Sequence, residues 1–206
     1  MVSRLEQLYN DGVKYLLEEK FERAVDLFDE CLKIAPDSGG VHDAKGLALM
    51  RRSDRDLKIA LSCFDKAISA DPGSAMSWEH KGHALGQLGA YTEALHCLER
   101  AISLTEPLAK TENAAREVYF SALNDEAWIL IDGFSEFDKA IECCKKVLRL
   151  DRRHQDARQN LKVALERKRH GQALTVSGIK NCPYCKAMMY YWAKYCPTCG
   201  RMLHLP

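Results

Sequence analysis

No run of 18 or more apolar residues occurs anywhere in the chain, which argues against a membrane-spanning helix. The opening residues, MVSRLEQLYNDG, lack the apolar core of a secretory leader. The expectation is a cytoplasmic protein with no membrane contact. Acidic residues are missing from one region altogether. Seven of the 30 basic residues but none of the 29 acidic ones fall in 167–206, leaving 23 basic against 29 acidic in 1–166, a formal −6. The body is acidic and the tail basic, a division that fits an anionic partner for the tail. Catalytic signatures are also missing. Residues 1–170 hold no nucleophile elbow, no phosphate-binding glycine loop and no HExxH zinc helix. GHALGQLG (82–89) is not a GxGxxG, and no strand precedes it. The chain is therefore expected to be non-enzymatic.

What is present is a repeat. KFERAVDLFDECLKIAPDS (20–38) is echoed by DLKIALSCFDKAISADPGS (56–74), AYTEALHCLERAISLTEPL (90–108) and EFDKAIECCKKVLRLDRRH (136–154). Ala24, Ala60, Ala94 and Ala140 anchor the register, at separations of 36, 34 and 46 residues. Small residues such as Gly12, Ala48 and Gly82 let a second helix approach a first. Phe28 and Phe64 fill the space between repeats, while Pro36 and Pro72 end helices. Such a unit cannot bury its apolar face alone, so neighbours must stack.

A helix-turn-helix unit of this period resembles the tetratricopeptide repeat. DPGSAMSWEHKGHALGQLGAYTEAL (71–95) carries the likeness most strongly. The resemblance implies an all-α, right-handed superhelix over 5–154, with repeats at 5–38, 41–74, 75–108 and 121–154. Residues 109–120 are an insertion expected to lengthen the first helix of the fourth repeat. A capping helix follows at 155–169 and a linker at 170–181. Cys63, Cys97 and Cys143 share one repeat position, and with Cys31 and Cys144 they read as buried thiols, not as a disulfide framework.

The resemblance also implies a concave groove, lined by the first helix of each repeat, that binds an extended peptide or a helix of a protein partner. By position its residues are Tyr9 and Val13, then His42, Lys45 and Leu49, then Met76, Glu79 and His83, and finally Asp125 and Ile129. The family's cluster of Lys, Arg and Asn that grips a C-terminal carboxylate is not expected. Tyr9 and Val13 replace the first Lys and Asn, and Gly46 replaces the second Asn. Exposed end repeats leave self-association open. Glu79, His80 and His83 share one helix, a spacing that suits a metal or an acid–base pair, but sequence supplies no further ligand nearby.

The last 25 residues hold Cys182, Cys185, Cys196 and Cys199 as two Cys-x2-Cys hooks ten residues apart. That spacing fits one tetrahedral, structural zinc ion bound by four thiolates, since so short a segment has no apolar core to fold on. The element resembles a short zinc ribbon (182–206), with a β-hairpin expected within KAMMYYWAKY (186–195). Its lysines and aromatics suit nucleic acid, a second protein surface or the solenoid itself. The expected function is a protein-interaction scaffold with the ribbon as accessory recognition element. The competing reading is nucleic-acid binding through the ribbon and ERKRH (166–170). A metal-dependent enzyme built on Glu79, His80 and His83 is a third.

Overall fold

In a computed structural model of the chain the description covers residues 3–177, 179–181 and 188–190. Nine α-helices occur among them: α1 (Arg4–Leu17), α2 (Phe21–Ile34), α3 (Gly39–Arg52), α4 (Leu57–Ala70), α5 (Ala75–Gln87), α6 (Tyr91–Thr105), α7 (Asn113–Asp132), α8 (Phe137–Leu150) and α9 (Gln155–Ser177). Each helix packs against its sequence neighbours. The odd-numbered helices also touch one another in order, α1 to α3, α3 to α5, α5 to α7 and α7 to α9. They make an inner layer, and the even-numbered helices an outer one.

The helices begin and end for local reasons. Ser3 caps α1 by accepting from the Glu6 amide at 3.2 Å, and Ser74 caps α5 by accepting from the Ser77 amide at 3.3 Å. Orphan N–H groups of the first turn are satisfied in this way. The α1–α2 and α5–α6 turns are the same turn. Lys20 N–H donates to Tyr15 C=O at 2.9 Å, and Ala90 N–H to Leu85 C=O at 3.0 Å. The residue before each donor is left-handed, Glu19 with φ 57° and Gly89 with φ 75°. This is the glycine position of a helix C-terminal turn, and at 19 a side chain occupies it.

On the outer helices Ala24, Ala60, Ala94 and Ala140 are each 0 % exposed. Phe28, Phe64 and Leu98 lie below them, also fully buried. The five cysteines at 31, 63, 97, 143 and 144 are free and buried. Glycine on the inner helices is a matter of space. A Cβ on Gly12 would sit 2.7 Å from the Phe28 ring, on Gly46 2.5 Å from the Phe64 ring, and on Gly82 2.8 Å from Leu98.

These three contacts correct the register of the second repeat. Its close-approach residue is Gly46, not Ala48, because two extra residues lie between Gly46 and the start of α4. A second pair of contacts agrees. The His42 ring meets the Pro36 carbonyl at 2.7 Å, and Trp78 Nε1–H donates to the Pro72 carbonyl at 3.0 Å. His42 is thus the counterpart of Trp78. In the fourth repeat the fully buried Ala127 takes the small position, with one extra residue in the turn before α8.

The buried side chains form two clusters. One runs from Leu16 to Phe64 and includes Ala84; the other runs from Leu85 to Ala164. They meet between α4 and α5, where the half-buried Leu61 packs against both. Residues 113–120 extend α7 at its N-terminal end, while 106–111 form turns. Arg116 Nε–H, donating to the Ala109 carbonyl at 2.8 Å, ties the first turns of α7 to that segment.

The segment 170–181, expected to be a linker, is helical through Ser177, and 179–181 is a strand. The helix runs through Gly171, since one glycine costs a helix only about 1 kcal/mol relative to alanine. α9 also does more than solvate an end, since Ala157 and Ala164 are fully buried. β1 (Ile179–Asn181) pairs antiparallel with β2 (Met188–Tyr190), with Ile179 opposite Tyr190 and Asn181 opposite Met188. β2 falls in the segment expected to form a hairpin, but its partner precedes the first cysteine hook.

Candidate functional site

The inner layer presents a cleft across α3, α5, α7 and α9. Its α3–α5–α7 part is a cavity of about 460 Å³ that includes Leu47, Met50, Glu79, His80, His83 and Ser121 in its lining. Its α7–α9 part, about 470 Å³, is lined in part by Glu117, Phe120, Asn124, Asp125, Trp128 and Asp156. Both cavities share Ser121.

A row of polar contacts makes the floor. His80 Nδ1–H on α5 donates to Asp43 on α3, 3.1 Å from each carboxylate oxygen. Glu79, 7 % exposed, accepts from the Ser121 hydroxyl of α7 at 2.5 Å. Its other oxygen, Oε2, makes no hydrogen bond and lies 3.6 Å from His80 Nε2. His83 Nδ1–H donates to Asp125 at 2.7 Å, and its Nε2 meets the Gln87 amide at 3.0 Å. The His80 ring packs on Phe64 with centroids 5.7 Å apart.

This crowding shifts proton affinities. Burial pushes the Glu79 carboxyl above the ordinary carboxylate range, against the pull of His80 and Ser121. Burial alone would lower His80, but the bond to Asp43 and the charges of Asp43 and Glu79 outweigh it and raise it. His83 is raised chiefly by its bond to Asp125. A carboxylate beside an imidazole favours the charged ring, and desolvation disfavours the charged carboxylate.

Of the expected groove residues, Glu79 and His83 line the cleft, and Asp125 lines its α7–α9 part. Met76 is exposed at the start of α5. Tyr9 and Val13 pack half-buried against the first core, Tyr9 with its ring 6.0 Å from Phe28. Four expectations are corrected. Leu49 and Ile129 are 2 % and 1 % exposed and belong to the core. His42 is turned to the Pro36 carbonyl. Lys45 pairs with Asp29 on α2, as Lys81 pairs with Asp65 on α4 at 2.6 Å. The extra residues before α4 and α8 rotate the true lining onto Leu47, Asn124 and Trp128, with Asp43 behind His80. Aligning on the glycines, with Gly46 matched to Gly12 and Gly82, would have found the α3 pair.

Among the described residues no group of three or more His, Cys, Asp or Glu is arranged to hold a metal ion. Glu79, His80 and His83 are instead engaged by Ser121, Asp43 and Asp125. Cys182, Cys185, Cys196 and Cys199 lie outside the described residues. Within ERKRH, Arg167 pairs with Asp132 and Lys168 with Asp138 on the solenoid. No helix among the described residues is long and apolar enough to cross a membrane.

Residues 76–107 match the model of the tetratricopeptide repeat family. The solved structure of PilF from Pseudomonas aeruginosa is similar at a TM-score of 0.68 and 20 % identity, over 81 % of this chain and 69 % of that one. The TPR2B domain of yeast Sti1, in complex with pHsp70, is similar at a TM-score of 0.50 and 22 % identity, over 57 % of this chain and 94 % of that one. Human mitochondrial import receptor subunit TOM70 is 28 % identical over 102 residues, half of this chain and 16 % of that protein. The chain thus spans only a small part of that relative's length. The fold is that of a tetratricopeptide-repeat superhelix.

Proposed function

We propose that this protein is an interaction scaffold whose inner cleft holds an extended segment or helix of a protein partner, and that it performs no chemistry of its own. One observation carries the reading. Four successive inner helices contribute side chains to two adjoining cavities that share Ser121, and hydrogen bonds between α3, α5 and α7 fix their floor. A preset concave surface lowers the ordering cost of binding. The Sti1 domain in complex with pHsp70 shows the same type of fold carrying a partner.

A photo-reactive residue placed at Ser121, exposed in the cleft, or at Lys58, exposed on α4, tests this in the intact chain. Irradiation with partner extract should give a discrete adduct peptide from position 121 and none from 58. Equal labelling from both positions would refute the cleft as the binding surface.

The four-cysteine element forms a second unit in this reading. The donor set is four thiolates in two hooks, which suits one tetrahedral zinc ion. The last rung of the β1–β2 ladder, Asn181 with Met188, brackets Cys182 and Cys185. Bound zinc would supply folding energy to the ribbon. The ribbon then offers an accessory surface in addition to the cleft. Metal analysis of the intact protein should find one zinc per chain, lost in the Cys182→Ser/Cys185→Ser variant. No zinc in the unaltered protein would remove the ribbon from the account.

A further inference from the structure

The cleft is short of cations. Its two cavities include five carboxylates in their linings, Asp54 and Glu79 in one and Glu117, Asp125 and Asp156 in the other, with Asp43 just behind His80. Arg51 is the one Lys or Arg among the lining residues. The histidines do not reverse this balance. His80 and His83 each point Nδ1–H at a carboxylate, Asp43 and Asp125, so even when charged they offset those two and no more. Glu117 and Asp156 are exposed and have no ion-pair partner among the described residues.

A second observation is independent of that charge. Glu79 lies in the middle of the cleft, 93 % buried by its 7 % exposure, with Oε2 facing a cavity and making no hydrogen bond. That oxygen is open to the cavity, with the His80 ring nitrogen 3.6 Å away. The α7–α9 cavity has a mixed polar lining of Asn124, Gln159, Asn160 and His154 beside its carboxylates. Beside it stands Trp128, half-buried, braced edge-on by Tyr91 with centroids 6.1 Å apart. Exposed carboxylates beside an aromatic face complement a planar cation that can both donate and stack. Arginine is that group, with five N–H donors, no acceptor and a face that stacks on indole.

We propose that the segment held in this cleft is basic, and that an arginine side chain of the partner enters the α7–α9 cavity between Trp128, Glu117 and Asp156. The inference rests on the cleft being the binding surface. It fixes the occupant's charge and excludes an acidic tail, which would meet Asp43 and Glu79 where a carboxylate clamp would need cations. Lysine is a weaker fit, because a compact ammonium cannot bridge two carboxylates and stack at once.

The test uses the full chain and four fluorescein-labelled eleven-residue Gly/Ser peptides. Each carries three residues of one kind: arginine, lysine, citrulline or glutamate. Anisotropy is read at low and near-physiological salt. The arginine peptide should bind, more weakly at higher salt, with the citrulline peptide about tenfold weaker and the glutamate peptide not binding. Glu117→Gln/Asp156→Asn should weaken the arginine peptide by about three- to tenfold without changing the helical signal. Equal affinity for arginine and citrulline peptides, no arginine binding, or no effect of the double variant would overturn the inference. The photo-reactive Ser121 separates the two failures. If it captures the neutral or acidic peptide in preference, the cleft reading stands and the basic partner falls. If no peptide is captured there, both fall.

Discussion

Replacing Gly46 by alanine should destabilise the protein, while replacing Gly40 on the same helix should not. The Cβ at 46 would lie 2.5 Å from Phe64 Cε1 and 2.9 Å from Cδ1 and Cζ. Phe64 is fully buried and packed against His80, so the ring has nowhere to retreat. Overpacking of this kind costs about 1–3 kcal/mol, offset by about 1 kcal/mol of helix propensity gained on leaving glycine. The net is a loss of about 1 kcal/mol. At Gly40 nothing lies within 4 Å of the built Cβ, so only the gain remains, about 0.5 kcal/mol near a helix start. The chemical change is the same at both sites, so effects on the unfolded chain cancel. The two variants should differ by about 1.5 kcal/mol, or about 0.7 M in urea midpoint at an m of about 2 kcal/mol/M. Urea unfolding followed by far-ultraviolet circular dichroism reads this directly. A midpoint for Gly46→Ala at or above that of Gly40→Ala would refute the close-approach argument and the corrected register of α3.

Other outcomes follow from the same structure. Glu19 has φ 57° where the matching turn has Gly89, so Glu19→Gly should raise stability by about 1 kcal/mol and Gly89→Ala should lower it by a similar amount. A neutral or destabilising Glu19→Gly in the same urea assay would contradict this. His80 and His83 bind protons more tightly when folded. Their contribution is therefore fully present below the ordinary histidine value of about 6.5 and is lost as pH rises through their raised folded values. Glu79, raised by burial, changes stability in the same direction at lower pH. Urea midpoints of the unaltered protein should fall between pH 6 and 8.5 more steeply than those of His80→Gln, and equal slopes would count against the Asp43–His80 contact. Burial raises Cys144 to about 11 and holds Cys31, Cys63, Cys97 and Cys143 above the ordinary thiol range. After chelation four of the nine cysteines should therefore react quickly with a thiol reagent, and the five buried ones only on unfolding. Fast reaction of more than four in the native protein would show that the cores are open.

The helices, their pairing and the buried cysteines could be read from the sequence because they depend on local periodicity and on small residues at fixed spacing. The cleft lining was harder. The alanine anchors lie on the outer helices, so an insertion between an inner helix and its outer partner displaces the inner register. A helix turns about 100° per residue. Two extra residues before α4 rotate the assignment by about 200°, which is why His42, Lys45 and Leu49 face away from the cleft, Leu47 faces into it and Asp43 supports His80 from behind. One extra residue before α8 rotates it by about 100°, replacing Ile129 with Trp128. The pairings across the floor join residues 37 and 42 apart in sequence. No local pattern encodes them.

The floor of the cleft is also the tie between the two halves of the solenoid. The cores meet at α4 and α5, with Leu61 reaching both. Across that seam the Asp43–His80 contact joins α3 to α5, and Lys81 with Asp65 joins α5 to α4. From α5 the chain of contacts continues through Glu79 to Ser121 and through His83 to Asp125 on α7. The curvature of the inner layer therefore rests partly on charged and protonatable pairs, not on apolar packing alone. Apolar packing tolerates sliding more readily than hydrogen bonds tolerate misalignment, so these pairs hold neighbouring inner helices in a fixed relation. A cation entering the cleft would interact with the carboxylates that set this relation. Partner charge and groove shape are thus linked through the same side chains.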